Sequence, residues 1–207
     1  MILVAALKTL LHHYLAQDDL RVMTNVANRG RPETEGLIGP LANTVILRTN
    51  LTGDPDSREV MRRVRTTCLT AFANQDLPME LLTKTRDNKR SLEPATLASV
   101  MILLNNWILR PSRAIGRTIT VEEANANMLV PVVTLTAFEI ILMLTEGPEG
   151  LTGTCVYKPH LFSARTIECL LRDFEAVLER MVTCPALPIS TIRVSCYRRE
   201  TNRRLRA

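Results

Sequence analysis

The strongest periodic signal in the chain is an apolar stripe towards its C-terminal end. Apolar residues recur there every three or four positions, at Ile167, Leu170, Leu171, Phe174, Val177, Leu178 and Met181. This spacing places all of them on one side of an α-helix. Ser163 is a candidate N-cap, and Pro185 and Pro188 would end the helix. A helix of this kind must bury its apolar side, so the chain needs a second layer beneath it.

Two more helices and five strands are predicted to build that layer. The first helix carries Leu3, Leu7, Leu10, Leu11 and Tyr14, and the second carries Val60, Val64, Cys68, Ala71 and Phe72 after a capping box of Asp56 and Glu59. The predicted strands are 20–26, 43–49, 99–104, 134–145 and 151–157, with a turn at 28–32, a short helix through Leu82 and a further short strand near Ile119. Residues 146–150 would join the last two strands as an antiparallel hairpin. This order predicts an α/β sandwich with a mixed sheet covered by helices.

The composition is that of a globular protein, and the basic charge is concentrated at one end. The chain has 207 residues, 46% hydrophobic and 23% charged, with a net charge of +5. The last ten residues hold five arginines and one glutamate, a net charge of +4 that leaves only +1 elsewhere. We therefore expect a disordered basic tail at 193–207 and no nucleic-acid partner. Only 4% of residues are aromatic, which argues against a surface for stacking single-stranded bases.

The cysteine pattern and the apolar runs indicate in which cellular compartment the protein acts. Five cysteines are widely spaced, without a C-x-x-C pair, so we expect free thiols in the cytoplasm and no zinc ribbon. The most apolar run, 128–144, is interrupted by Pro131 and Glu139 and is too short to span a bilayer. The first residues lack the basic region that precedes the apolar run of a signal peptide. We predict no membrane partner.

No catalytic or metal-binding group is predicted from the residues themselves. The chain contains no G-x-G-x-x-G, P-loop or G-x-S-x-G sequence. Its histidines are His12, His13 and His160. His12 and His13 are adjacent on a predicted helix, so their side chains point about 100° apart and are poorly placed to share a metal ion.

Five stretches in order carry a resemblance to a known family. They are D-D-L-R-V-M-T-N-V-A-N-R-G-R-P-E-T-E-G-L-I-G-P-L-A-N-T-V-I-L-R (18–48), N-Q-D-L-P-M-E (74–80), R-D-N-K-R (86–90) followed by Val100, Met101 and Asn105, A-F-E-I (137–140), and G-L-T-G (150–153). Together they resemble the second half of nonribosomal peptide synthetase condensation domains, over about residues 1–192. The departures are Leu41 and Met79 where phenylalanine is usual, Glu139 where aspartate is usual, and an eroded stretch after Arg86.

The resemblance implies a chloramphenicol-acetyltransferase-like fold of two lobes with a tunnel between them. Two carrier proteins would present thioesters on phosphopantetheine arms, with no cofactor bound directly, and the acceptor amine would form an amide. The family's catalytic H-H-x-x-x-D-G motif belongs to the first half. His12-His13 does not match it, because Gln17 and Asp18 stand where aspartate and glycine are required. The resemblance therefore implies a C-terminal lobe, residues 1–192, that is inactive alone.

The matching residues are assigned non-catalytic roles. Asn43 and Thr44 would line the tunnel or hold the strand facing the other lobe, or else satisfy backbone groups at a strand end. Arg29 would pair with the aspartate of the catalytic loop, or else lie on a surface turn. Arg48 would be an orienting cation near the tunnel, or an exposed strand-end residue.

The other motif residues, Gln75, Asp76 and Glu80, would fix the corner between two helices. The partners implied are carrier proteins and an N-terminal lobe. An alternative function remains open, in which the chain is a non-catalytic module that docks on a carrier protein or on a separately encoded N-terminal lobe.

Overall fold

The computed structural model describes residues 1–83, 98–105, 138–147 and 150–194. Within these residues, the predicted helices and strands occur in the predicted order, and one short helix at Pro32–Glu35 was not predicted. The helices are α1 (Ile2–Leu15), α2 (Pro32–Glu35), α3 (Ser57–Ala73), α4 (Met79–Thr83) and α5 (Ala164–Thr183). The strands are β1 (Asp19–Val26), β2 (Asn43–Asn50), β3 (Val100–Asn105), β4 (Ile140–Gly147) and β5 (Gly150–Tyr157). A 3₁₀ turn at Ile189–Thr191 follows α5.

The strands form one mixed sheet in the order β2-β1-β3-β4-β5. The outer pairs, β1–β2 and β4–β5, are antiparallel, and the two inner pairings are parallel. The predicted hairpin is confirmed, since β4 and β5 pair from Ile140 with Tyr157 to Gly147 with Gly150. The register of β1 with β3 consists of a single pair, Met23 with Met101. A mixed sheet is therefore present, as the sequence predicted.

Helices α1, α3 and α5 cover one face of the sheet. Alternate strand residues such as Leu20, Val22 and Leu47 pack there in one core with the apolar side of α5. In α1, burial extends around the whole middle of the helix, from Ala5 to Leu11. The predicted stripe was therefore too narrow, because α1 contacts α5, α3 and β1 at once.

The opposite face of the sheet, here called the second face, carries a separate cluster rich in methionine. Its fully buried members are Met23, Met101 and Ile141 on three neighbouring strands. Met79 of α4 and Phe138 pack against the same cluster. The sheet thus has aliphatic side chains under the helices and adaptable thioether side chains on the other side.

The helix caps agree with the sequence in part. Asp56 Oδ1 accepts a hydrogen bond from the Glu59 amide at 2.8 Å, and Ser163 Oγ accepts one from the Thr166 amide at 3.2 Å. The Glu59 carboxylate binds Arg62 and Arg63, so only the Asp56 half of the expected capping box is seen.

Three details differ from the predictions. The turn at 28–32 leads directly into α2, because Pro32 stands in the first turn of that helix, where proline is favoured. Phe72, expected on the buried face, is exposed where α3 meets the corner with α4. Strand β4 begins at Ile140, and residues 134–137 and Ile119 lie outside the described residues.

Side chains of α3 bind main-chain carbonyls of the edge strand β2 and the residues that follow it. Thr67 Oγ1 donates to the Arg48 carbonyl at 3.1 Å. Arg63 Nη1 donates to the carbonyls of Asn50 and Thr52, both at 3.0 Å. Carbonyls of an exposed strand edge are therefore occupied by the chain's own side chains.

In the part of the chain that the structure describes, no helix has the length and apolar character needed to cross a bilayer.

Candidate functional site

Asn43 ties the start of β2 to the corner between α3 and α4. Its Nδ2 donates to the carbonyls of Gln75 and Leu77, each at 2.7 Å. Its Oδ1 accepts a hydrogen bond from the Thr44 amide at 2.9 Å. Every polar atom of the Asn43 side chain is thus bonded to main chain. These contacts are those of a strand-end residue that satisfies backbone groups, one of the two roles expected for it, and the tunnel-lining role remains a prediction.

Arg29 organises the segment that connects β1 to β2. Its Nη1 donates to the carbonyls of Thr34 and Leu37 at 2.7 and 2.6 Å, and its Nη2 donates to the Gly39 carbonyl at 3.3 Å. Three carbonyls on one guanidinium fix the path of the loop around α2. Its pairing with an aspartate of another lobe remains a prediction.

The connecting segment and the helix corner border an open cleft of about 370 Å³. Its lining residues are Asn28, Gly30, Arg31, Thr34, Leu41, Gln75 and Asp76. An exposed ion pair, Arg31 with Asp76 at 3.6 Å, lies at the cleft. No histidine or cysteine lines it, so the described walls offer hydrogen bonds and charge but no strong nucleophile. We call this region, with Asn43 and Arg29, the loop end of the β1–β2 hairpin.

Thr44 also lies at the loop end, and its Oγ1 donates to Asn25 Oδ1 at 2.9 Å. Gln75 and Asp76 belong to the α3–α4 corner, as expected, although the bond to Asn43 uses the Gln75 main chain. Glu80 lies on α4, but its side chain is outside the described residues. Residues 86–90 of the eroded motif also lie outside them.

Arg48 lies away from the other candidates, at the opposite end of the hairpin. It is five residues along β2 from Asn43, about 17 Å at the rise of a strand. Its Nε and Nη2 donate to the Asp19 carboxylate at 2.9 and 2.7 Å. The hydrogen-bonded guanidinium lowers the pKa of Asp19 below its usual value. The candidates therefore divide into Arg29, Asn43 and Thr44 at the loop end and Arg48 at what we call the base end.

Sequence reasoning missed a fully buried lysine at the base end. Lys8 of α1 has no exposed surface, and its Nζ donates to the Leu47 carbonyl at 2.7 Å and to Thr49 Oγ1 at 2.6 Å. Loss of hydration lowers its pKa from 10.5 to about 7. A lysine within an apolar helix face was the available signal, but its acceptors lie on β2, about forty positions away.

A second missed contact joins α1 to α5. Tyr14 Oη donates to Asp173 Oδ2 at 2.8 Å, and both residues are buried. Asp173 interrupts the apolar side of α5, so the stripe pattern did not include it. The bond fixes the two covering helices relative to each other.

The histidine pair of α1 has structural contacts. His12 Nδ1 lies 2.9 Å from the Gln17 carbonyl oxygen, and His13 Nε2 lies 3.0 Å from that of Ile189. Burial lowers the pKa of His13. Among the described residues, no three histidine, cysteine or acidic side chains are grouped as a metal ion would need.

Comparison with known proteins decides the family. Residues 1–201 match the condensation domain family. The chain belongs to the condensation domain family. This family acts on substrates carried by phosphopantetheine arms of carrier proteins. The resemblance drawn from the five sequence stretches is therefore confirmed.

The curated relatives and the solved structures that match the chain are consistent with this family. The chain is 38% identical over 179 residues to one of the linear gramicidin synthase proteins of Brevibacillus parabrevis, covering 86% of this chain and 3% of that protein. It is 25% identical to the X-domain from teicoplanin biosynthesis, with a TM-score of 0.72, covering 93% of this chain and 43% of that one. A four-domain nonribosomal peptide synthetase shares the fold at 20% identity and a TM-score of 0.73, covering 94% of this chain and 15% of that one.

These matches confirm the expected fold. The described sheet and helices correspond to half of a chloramphenicol-acetyltransferase-like condensation domain. The chain spans less than half the length of the solved X-domain and condensation-domain chains that it matches, and a few per cent of the curated synthase.

Proposed function

We propose that these residues form the C-terminal lobe of a condensation domain that makes amide bonds between carrier-bound substrates. In that reaction the amine of the acceptor attacks the thioester carbonyl of the donor. A C–N bond forms, the C–S bond breaks, and the thiol of the donor phosphopantetheine arm leaves. The observation that carries the proposal is the family match over residues 1–201 in a sequence with no H-H-x-x-x-D-G motif. The general base or positioning histidine would come from the N-terminal lobe.

The loop end is the surface that we assign to contact with that lobe. Three apolar side chains around it are exposed, with Ile38 fully exposed and Leu37 and Leu77 about half exposed. Leu37 and Leu77 are held through their carbonyls, by Arg29 and Asn43 respectively. Exposed apolar side chains whose main chain is fixed by hydrogen bonds are typical of a surface that a second lobe covers. Arg29, Asn43 and Thr44 would hold this surface in shape.

Reconstitution tests the proposal directly. The chain is mixed with a separately produced N-terminal lobe that carries H-H-x-x-x-D-G, and two aminoacyl carrier proteins are supplied as substrates. We expect the amide product, detected by mass spectrometry, only when both lobes are present. Product from this chain alone would show that the lobe is itself a catalyst and would refute its proposed inactivity.

A matched pair of substitutions tests the surface. Ile38→Asp places a charge at the loop end and should weaken binding of the N-terminal lobe by about tenfold or more. Val182→Asp makes the same change on α5, at a side chain 59% exposed, and should leave binding unchanged. Equal effects of the two substitutions would place the contact elsewhere.

A non-catalytic docking module is the second candidate function. The cleft at the loop end favours it, because the residues that line the cleft are mostly polar or charged and include no histidine or cysteine. In this case the chain would bind a carrier protein or N-terminal lobe, and reconstitution would give a stable complex without amide product. Cys68, Cys155 and Cys184 carry thiols that form no disulfide, which suits action in the reducing cytoplasm for either function.

A further inference from the structure

Two arginines lie directly opposite each other at the base end of the hairpin. Arg21 of β1 is in register with Arg48 of β2, and both side chains are exposed. Both lie on the second face of the sheet, because their neighbours Leu20, Val22 and Leu47 point into the helix-covered core. Facing residues of antiparallel strands have Cβ atoms about 5 Å apart, so two positive charges there repel. We call these residues the arginine pair.

A single carboxylate among the described residues, that of Asp19, forms hydrogen bonds with this pair, and it binds only one of the two arginines. Asp19 binds Arg48 through both of its oxygens, at 2.9 and 2.7 Å. Within the described ranges, the Arg21 side chain makes no hydrogen bond. Glu59 on α3 also faces two arginines, yet it binds both Arg62 and Arg63. The arginine pair therefore keeps one guanidinium available.

A third basic group, partly protonated at neutral pH because its pKa is about 7, lies below the same strands. Lys8 Nζ, on the helix-covered side, binds the Leu47 carbonyl and Thr49 Oγ1, the two residues that flank Arg48. Asp19 interacts electrostatically with Lys8 and Arg21 as well as with Arg48. One negative charge thus stands among three basic groups. The base end has an excess of positive charge with a solvent-exposed opening.

We propose that the arginine pair binds a phosphate group. Guanidinium groups present planar N–H donors that match phosphate oxygens, and two such groups can bind different oxygens of one phosphate. Asp19 orients Arg48 and competes with the anion. The site does not depend on the proposed function, because it rests on the register and charges of β1 and β2. The phosphate could be free or part of an ester, such as that of a phosphopantetheine arm.

Isothermal titration calorimetry on the full chain tests the site. The titrants are inorganic phosphate, phosphopantetheine and pantetheine, with chloride added to equal ionic strength. We expect saturable binding of at least one phosphate compound and none of pantetheine. Binding of inorganic phosphate alone identifies a free anion as the ligand, whereas tighter binding of phosphopantetheine identifies the ester. Equal binding of pantetheine and phosphopantetheine would overturn the proposal.

Substitutions separate this site from general attraction to a basic protein. Arg21→Gln should lower phosphate affinity about fivefold by removing the free guanidinium. Arg65→Gln, on the exposed side of α3, is the matched control and should leave affinity unchanged. Asp19→Asn should raise affinity, because the competing charge is lost. Equal losses for Arg21→Gln and Arg65→Gln, or a loss for Asp19→Asn, would refute the site. Circular dichroism confirms that each variant is folded.

Discussion

At the loop end of the β1–β2 hairpin, the amide of Asn43 and the guanidinium of Arg29 hold the chain through main-chain carbonyls. At the base end, the ammonium of Lys8 and the Asp19–Arg48 ion pair hold the same two strands. The carbonyls that Asn43 and Arg29 bind do not titrate, whereas the base end depends on the protonation of a buried lysine and of an exposed carboxylate. The two ends of one hairpin should therefore respond differently to pH and to substitution.

The largest effect is expected from truncation of Lys8. Lys8→Ala empties a fully buried volume and removes two strong hydrogen bonds, so it should cost about 3 kcal/mol of unfolding free energy. Urea denaturation at pH 7 measures this. Lys158→Ala, at a partly exposed lysine, is the control and should cost under about 1 kcal/mol. Equal costs would mean that the amine of Lys8 is not held as described.

A pH dependence of stability should follow from the same lysine. Its pKa is about 7 in the folded protein, against 10.5 for a lysine that is fully hydrated. Between these values the unfolded chain binds more protons, so stability should rise with pH, by at most about 1.4 kcal/mol per unit. From pH 7.5 to 9 the gain should approach about 2 kcal/mol. Lys8→Met keeps the volume without the titrating group, and its denaturation curves should lack this rise.

At the loop end, Asn43→Ala should cost about 2 kcal/mol, because two carbonyls and one amide lose their partner together. The loss should be the same at pH 7 and pH 9, unlike that from changes at Lys8. Asn50→Ala, at the other end of the same strand, removes the exposed hydrogen bonds that Asn50 Oδ1 accepts from the amide and the hydroxyl of Thr52 and should cost about 0.5 kcal/mol. If Asn50→Ala lowered the unfolding free energy more than Asn43→Ala, the side-chain bonds at the base end of β2 would be the stronger ones.

The smallest effect is expected for the exposed ion pair. The pKa of Asp19 is lowered in the folded protein, so its contribution is present above its unfolded pKa and is lost as pH falls through the folded one. Asp19→Asn should slightly reduce the drop in urea midpoint between pH 6 and pH 3, since solvent screens an exposed pair. An effect as large as that of Asn43→Ala would show that the pair is stronger than its exposure suggests.

The sequence predicts the elements well and the tertiary contacts poorly. The stripe of α5, the caps at Asp56 and Ser163, and the β4–β5 hairpin depend on spacings within a few residues, and all three were predicted. Lys8 and Asn43 depend on acceptors more than thirty residues away, which no local pattern reports. Lys8 was passed over because a lysine on an apolar helix usually reaches solvent with its amine.

The separation of Arg48 from the other site candidates required no tertiary information. Five residues of extended strand already place Arg48 and Asn43 at different ends of β2. Arg48 and Asn43 were grouped as site candidates because they belong to one sequence motif, although the geometry of the strand places them far apart. The opposition of Arg48 and Arg21, in contrast, requires the register of β1 and β2, which the sequence does not provide.

The single register pair between β1 and β3 has a consequence for the order of folding. Each antiparallel pair joins strands that are consecutive in the chain, so its pairing closes a much shorter loop than that between β1 and β3 and can form earlier. Pairing of Met23 with Met101 brings together distant parts of the chain through very few backbone bonds. The β1–β2 and β4–β5 hairpins should therefore form early and join late. In amide hydrogen exchange, the amides that pair β1 with β3 should exchange before those within either antiparallel pair.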